Sequence, residues 1–284
     1  ELNYHFFTGL NTNRLNYYRA TPQFNFVNED SKSTETSFLN LFRVFRQFNE
    51  ETYATLSINA NYHQVNVKNN RANSGYDADR LETSLMMNLH LKPSDRFAAF
   101  ILMRSENYDE EFVPLIPSAG LEWQVFNNLP VLLQMNAARN YHKPTLNDLY
   151  WLPGGNPDLL AEDGFTGDVS VSADFDDGLI SFENEITGFT ALIENWILWQ
   201  PATTGAYYWE ANNVKDVFSQ GIEYHFTSGM EWNTIRLKSG GNYSFTKTIN
   251  KNAAASVDQS RGKQLIYIPK HKGNIYFSVF RKIG

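Results

Sequence analysis

Residues 165–193 read FTGDVSVSADF-DDG-LISFENEITGFTALI, two alternating segments joined by a short polar link. In the first segment Val169 and Val171 are flanked by polar serines, and this period of two is typical of a β-strand with one apolar face. The link at 176–178 supplies the Asp and Gly that a tight turn needs. The stretch therefore predicts an antiparallel hairpin with one face in an apolar medium and the other in water.

The strands of this hairpin are longer than those of most globular proteins. They hold about 11 and 15 residues, whereas globular strands have about 5–6 and tilted membrane strands about 9–11. The same alternation recurs at 81–92 and 218–226, and about thirteen such strands can be counted along the chain. The sequence therefore predicts an all-β fold built from strands of membrane-spanning length.

The connections between these strands alternate in length. Tight-turn sequences occur at 49–51, 93–95, 127–130, 176–178 and 227–229. Between them lie longer polar segments, at about 22–35, 68–79, 107–117, 142–163, 194–214 and 250–263. Outer-membrane barrels have short turns on the periplasmic side and long loops on the extracellular side. We therefore predict that the turns at 93–95 and 176–178 are periplasmic and that the loops at 142–163 and 194–214 are extracellular.

The composition supports a chain with one wet and one apolar face. Charged residues make up 19% and aromatic residues 15%, yet the mean hydropathy is −0.44. No stretch approaches the 18 consecutive apolar residues of a transmembrane helix, so a closed barrel is the other structure that could cross a bilayer. The net charge of −7 and the lack of a basic run argue against nucleic-acid binding, and the absence of cysteine excludes thiol catalysis. Because the chain opens within a strand-like sequence, we expect a mature or excised fragment.

One segment carries a family motif. Residues 140–162 read NYHKPTLNDLYWLPGGNPDLLAE, which resembles the TonB-dependent outer-membrane receptors, where Arg-x-Pro-x-Leu-x-x-Leu-Tyr leads to Gly-Asn-Pro-x-Leu-x-Pro-Glu. Two positions depart from the motif: Lys143 precedes the proline, with Arg139 four residues earlier, and Ala161 stands where the second proline is usual. The resemblance covers about residues 121–284. We predict that the motif forms an ordered structural loop base through Pro144, Leu149, Tyr150, Asn156, Pro157, Leu159 and Glu162.

The resemblance implies an antiparallel transmembrane β-barrel of 22 strands, closed by an N-terminal plug domain. Residues 1–284 would then be a partial barrel domain in which the plug, its energy-coupling box and some strands are missing. It also implies location in the bacterial outer membrane. The implied partners are a small-molecule nutrient, outer-membrane lipid, the TonB complex through the absent plug, and a surface lipoprotein.

Aromatic residues in the predicted outer loops are the best candidates for ligand contact. Flat amphipathic rings provide a large contact area at a low cost in conformational entropy. The candidates are Tyr150, Trp151, Trp196, Trp199, Tyr207, Tyr208 and Trp209. Ordinary packing between loops, or an interfacial girdle, is the alternative interpretation of these rings.

Acidic loop residues raise the question of a metal ion. Asp77 with Asp79, and the run 109–111, provide the oxygen ligands that calcium prefers, so calcium binding is a hypothesis alongside a plain solvated loop. The six histidines are scattered over different strands, and no zinc motif or catalytic constellation occurs. We therefore expect no resident metal or cofactor beyond this calcium and no enzymatic activity.

The sequence thus predicts an energy-coupled receptor that imports a scarce nutrient, with cobalamin preferred over a ferric siderophore as the ligand. The stretch at 150–156 resembles the cobalamin-receptor group, and the outer loops lack the clustered basic residues that a negatively charged siderophore would favour. Two alternatives remain open at this point. One is a smaller passive porin-type barrel, and the other is a soluble β-sandwich that acts as a binding module.

Overall fold

The computed structural model describes residues 1–21, 26–70, 74–202, 208–251, 261–265 and 268–281. Its strands are β1 (Leu2–Thr21), β2 (Phe26–Gln47), β3 (Tyr53–Asn69), β4 (Ser74–Ser94), β5 (Phe97–Tyr108), β6 (Glu111–Gln124), β7 (Val131–His142), β8 (Glu162–Asp176), β9 (Ile180–Pro201), β10 (Trp209–Trp232), β11 (Ile235–Asn250) and β12 (His271–Arg281). A short helix, α1 (Leu146–Tyr150), lies between β7 and β8. Within the described ranges, no helix is both long enough and apolar enough to cross a membrane.

All the described strands belong to one antiparallel sheet, in which each strand pairs with its neighbours in the chain. The sheet follows the order β1 to β12 without a crossover, as expected when every connection is a hairpin. No second sheet packs on it within the described residues, so the β-sandwich hypothesis is wrong. The antiparallel barrel-type sheet predicted from the alternation is confirmed.

The two faces of the sheet differ in the sense expected for a membrane barrel. On β8, Val169 is 45% exposed, whereas the neighbouring Ser170 is only 6% exposed. Exposed apolar side chains also occur elsewhere on the sheet, for example Phe165, Ile186 and Ile222. A water-soluble protein buries such residues, and large exposed apolar surfaces mark contact with another phase. We therefore assign the apolar face to lipid and the polar face to the lumen.

Within the described residues, the predicted long loops at 22–35, 68–79, 107–117 and 194–214 are mostly strand, which corrects the sequence-based loop boundaries. The segment predicted as a loop at 194–214 is largely occupied by the ends of β9 and β10, which have 22 and 24 residues. At 107–117 the chain turns at once between β5 and β6, with Asp109 at a positive φ of 53°. These polar residues form strands because the backbone N–H and C=O groups of each strand end find hydrogen-bond partners on the neighbouring strand end. Since such strands exceed the length needed to cross the lipid, these hairpins project beyond it.

The described residues form twelve strands, whereas about thirteen are predicted over the whole chain. The last strand, β12, begins at His271. Before it, Gln264 forms an isolated bridge to Ile249, and its side chain accepts a hydrogen bond from the Thr248 N–H at 3.1 Å. Pro269 has no N–H to donate to a ladder. The short turns predicted at 93–95 and 176–178 lie at 95–96 and 177–179, within two residues of their predicted positions.

Candidate ligand-facing loop at the barrel mouth

The connection between β7 and β8 is the long loop that the structure describes, and it contains the family motif. It begins with Pro144, which is fully buried, and leads into α1. The Thr145 hydroxyl accepts a hydrogen bond from the Asp148 N–H at 3.1 Å, and the Asp148 carboxylate accepts one from the Thr145 N–H at 2.9 Å. This reciprocal pair is a capping box, which satisfies backbone donors at the start of a helix. A five-residue helix is thereby fixed at the start of the loop.

One anchor ties this loop to β4, which lies three strands away along the sheet. Arg80 donates from Nη2 to the Pro144 carbonyl oxygen at 2.8 Å, and its side chain is almost fully buried. The Tyr76 hydroxyl donates a hydrogen bond to the side-chain carbonyl of Asn147. Both residues lie on the polar face, so the loop folds inward over the lumen side of the sheet.

A second anchor ties the same loop to β9 and β10. Trp199 donates from Nε1 to the Asp148 carboxylate at 2.8 Å. Leu149, Leu159 and Ala211 form a buried apolar cluster, and Trp199 packs against it. The Ala211 N–H also donates to the Gly154 carbonyl oxygen at 2.8 Å. The loop is therefore held at both ends, and it spans the mouth from β4 to β10.

The predicted ligand-contact residues do not share one environment. Tyr150 and Trp209 are exposed, with Trp209 at 59%, whereas Trp151, Trp196 and Tyr208 are partly buried. The Trp199 ring N–H is bonded to Asp148 of the loop. Strand alternation places Trp196 on the opposite side of β9 from Trp199. Tyr207 lies outside the described residues. Ligand contact by this set remains a prediction, for which Tyr150 and Trp209 have the most accessible rings.

The motif residues take several roles within the loop. Pro144, Leu149 and Leu159 are buried. The Asn156 side chain accepts a hydrogen bond from the Asp158 N–H at 3.0 Å, and Glu162 accepts one from the Ile197 N–H at 2.7 Å. Pro157 is exposed, as is part of Tyr150. Sequence analysis missed Arg80 and Tyr76, because no local pattern marks a residue whose partner is 64 or 71 positions away.

Three of the acidic residues proposed for calcium, Asp77, Asp109 and Glu111, have partners within the protein. The Asp109 carboxylate accepts a hydrogen bond from the Leu81 N–H at 2.8 Å, and Asp77 accepts one from Asn66 at 3.2 Å. Glu111 binds Lys143 and accepts a bond from the Tyr141 hydroxyl at 3.0 Å. Across the part of the chain that is described, no group of three or more acidic or histidine side chains is placed to hold a metal ion. Calcium binding at these loops remains a prediction.

The titration of Glu111 gives a direct test of the loop's ion pair. Lys143, and after it the Tyr141 hydroxyl, lower the pKa of Glu111. A carboxyl with a lowered folded pKa contributes stability above its unfolded pKa and loses it as pH falls through the folded value. Because Glu111 is well exposed, we expect this contribution to be below about 1 kcal/mol. Carboxyl NMR should show that Glu111 titrates below the ordinary value of a glutamate, and Lys143→Met should raise this midpoint; an unchanged midpoint would contradict the pairing.

These features define a class: the wall of a transmembrane β-barrel whose inward-folded loop lies at the mouth. A family model described as TonB dependent receptor-like, beta-barrel matches residues 1–282. The chain therefore belongs to the TonB-dependent receptor family, whose barrels lie in the bacterial outer membrane and act in uptake and reception rather than as enzymes. The family resemblance of the motif is confirmed, and the porin alternative is set aside.

Curated relatives point to one group within the family. The chain is 34% identical over 104 residues to the vitamin B12 transporter BtuB of Photobacterium profundum, a match that covers 35% of this chain and 16% of the relative. It is 30% identical over 112 residues to the protein of the same name from Vibrio vulnificus, covering 36% and 18%. The matched part is thus a small share of each relative's length.

Solved structures agree on the fold. The copper transporter OprC superposes with a TM-score of 0.73 at 11% identity, covering 99% of this chain and 46% of that one. The FrpB iron transporter from Neisseria meningitidis (F5-1 variant, apoprotein form) gives a TM-score of 0.59 at 15% identity, covering 91% and 44%. At these identities the likeness concerns the fold alone. The chain spans less than half the length of either structure.

Proposed function

We propose that this chain is part of the barrel wall of an outer-membrane receptor that imports a corrinoid of the cobalamin type. The ligand is bound at the extracellular mouth, and transport draws on energy delivered through a TonB contact with a plug domain. The observation that carries the proposal is the identity of about a third to vitamin B12 transporters over roughly a hundred residues. The chain performs no covalent chemistry in this scheme.

The mouth offers surfaces that suit a large flat ligand. Tyr150, in the β7–β8 loop, and Trp209, at the start of β10, both have exposed rings. The Tyr150 ring lies 6.2 Å from the Tyr76 ring, so aromatic surface continues from the loop onto the wall. Such rings bind planar ligand faces with little loss of conformational entropy. A ferric siderophore is the second candidate ligand, and a surface lipoprotein remains a proposed partner.

Ligand identity is tested with the full-length receptor in detergent. Binding of cyanocobalamin and of a ferric siderophore should be measured side by side by calorimetry. We expect saturable binding of the corrinoid at micromolar or lower concentration and none of the siderophore. The reverse result would assign the receptor to iron uptake and overturn the proposal.

Truncation of Trp209 is expected to weaken corrinoid binding. Trp209→Ala should cost roughly 1–3 kcal/mol, the range for removing a large aromatic from an interface. Trp232 provides a matched control, since it is similarly exposed but lies at the opposite end of the same strand. Trp232→Ala should leave the affinity unchanged. Equal effects of the two substitutions would show that Trp209 acts through the barrel and not through the ligand.

A further inference from the structure

A cavity of about 480 Å³ lies between the polar face of the sheet and the inward-folded loop. We call it the mouth recess. Strands β2, β3, β4, β5 and β7 form its wall, while Thr145, Leu146 and Asn147 of the loop cover it. Its volume lies within the range of about 300–1,000 Å³ that is usual for small-ligand sites. The side chains that give it chemical character are Glu35, Tyr76, Arg80, Glu82, Tyr108 and Tyr141.

The positive groups of the mouth recess are already held by the protein. Arg80 donates from Nη2 to the Pro144 carbonyl oxygen at 2.8 Å, and its Nη1 lies 3.6 Å from the Glu82 carboxylate. Its guanidinium also lies 5.9 Å from the centre of the Tyr108 ring. Lys143 is bound to Glu111, which stands outside the recess. These cations are therefore poorly placed to attract an anionic ligand.

The hydroxyl hydrogens of the three tyrosines in the mouth recess are already donated to other protein groups. Tyr108 donates its hydroxyl hydrogen to Glu106 at 2.8 Å, and Tyr141 donates to Glu111 at 3.0 Å. Tyr76 donates to Asn147. Each phenol oxygen therefore offers only lone pairs. Arg80 already lies over the Tyr108 ring, so the rings of Tyr76 and Tyr141 are the ones that offer a negative π-face. The recess presents acceptors and aromatic faces to anything that enters it.

One acidic group of the recess, Glu35, is exposed and has no partner among the described residues. No hydrogen bond or ion pair holds the Glu35 carboxylate within the described residues, whereas Glu82 faces Arg80 and also lies 3.7 Å from His63 Nε2. Burial, and then the charges of Glu35 and Asp148, raise the pKa of Tyr76 to about 12. The second nitrogen of His63 lies 2.8 Å from the Ser37 hydroxyl, so this ring is also engaged. Glu35 is thus the uncompensated charge of the recess.

We infer that the mouth recess binds an organic ammonium group, with Glu35 as the counter-ion and the tyrosine rings as its packing surface. An ammonium carries three donors and no acceptor, which matches a site that offers carboxylate and phenol oxygens. Cations also bind favourably over aromatic faces. This inference concerns a different site and a different ligand class from the corrinoid proposal, and its test does not depend on that proposal.

The test uses the full-length receptor in a non-ionic detergent at low ionic strength. Calorimetry should compare 1,5-diaminopentane with the neutral and nearly isosteric 1,5-pentanediol. We expect saturable binding of the diamine, weakened by added salt, and none of the diol. Glu35→Gln should lower the diamine affinity about tenfold or more, as expected when one charge-assisted hydrogen bond is lost.

The matched control is Glu110→Gln, which removes the same charge at an exposed position outside the recess. It should leave the diamine affinity within about twofold of the wild type. Correct folding of both variants is checked by the heat-dependent shift of the barrel in gel electrophoresis. Equal binding of diol and diamine, equal effects of the two substitutions, or no diamine binding by the folded wild type would each overturn the inference. Corrinoid binding is measured on the same samples, so failure of that proposal is seen separately.

Discussion

Val169→Arg is expected to destabilise the folded barrel by about 2–4 kcal/mol, the cost of a basic residue on the lipid face near the bilayer midplane. Val169 is the central residue of β8, it is 45% exposed, and it faces Met135 of β7 across the sheet. An arginine there must carry its charge into hydrocarbon or distort the surrounding lipid. The measurement is the free energy of unfolding in lipid vesicles, obtained by urea titration of tryptophan fluorescence on the full-length receptor.

The control for this substitution is Asn136→Arg on the neighbouring strand. Asn136 lies on the polar face and donates to the Asp168 carboxylate at 2.9 Å, so an arginine at this position keeps an acidic partner. We expect a change of less than about 1 kcal/mol. Equal losses at both positions would refute the assignment of the two faces.

Gly154→Ala is expected to release the inward-folded loop from β10, at a cost of about 2–3 kcal/mol. A Cβ atom at Gly154 would clash directly with the Trp209 carbonyl oxygen. Because that oxygen belongs to the backbone of a paired strand, it cannot move aside as the end of a side chain could. Undocking would break the bond between the Ala211 N–H and the Gly154 carbonyl oxygen, and it would expose the apolar cluster around Leu149.

The release can be followed by hydrogen exchange of residues 144–161 and by the fluorescence of Trp199. Gly188→Ala is the matched control, since a Cβ at Gly188 meets nothing within 4 Å. We expect faster exchange in the loop of Gly154→Ala and wild-type exchange in Gly188→Ala. A loop that stays protected in Gly154→Ala would mean that the close approach to β10 does not hold it in place.

The candidate site was predicted only in part. The motif at 140–162 marked the loop, because proline, glycine and asparagine have local conformational effects that a sequence shows directly. The aromatic candidates were found by residue type, which cannot tell a ring that faces the ligand from one that holds a loop. Trp199 illustrates this limit, since its hydrogen bond to Asp148 joins positions 51 apart.

The sequence by itself determined the strands, their alternation and the assignment of one face to lipid. Period-two patterning is a local property: Val169 and Ser170 must point to opposite faces in any strand, so apolar and polar faces follow from the order of residues. Turn chemistry is equally local, and it placed the short connections at 93–95 and 176–178 within two residues of their positions in the structure.

Only the tertiary structure decided how far the strands extend and where the β7–β8 loop lies. The polar residues at 194–201 and 209–214 belong to β9 and β10 because the two strands supply each other's backbone partners, which composition does not reveal. The mouth recess likewise exists because Arg80 holds Pro144 and Trp199 holds Asp148. These contacts join residues that are distant in the chain, and they form only once the sheet has brought β4, β7 and β9 to their places around one lumen.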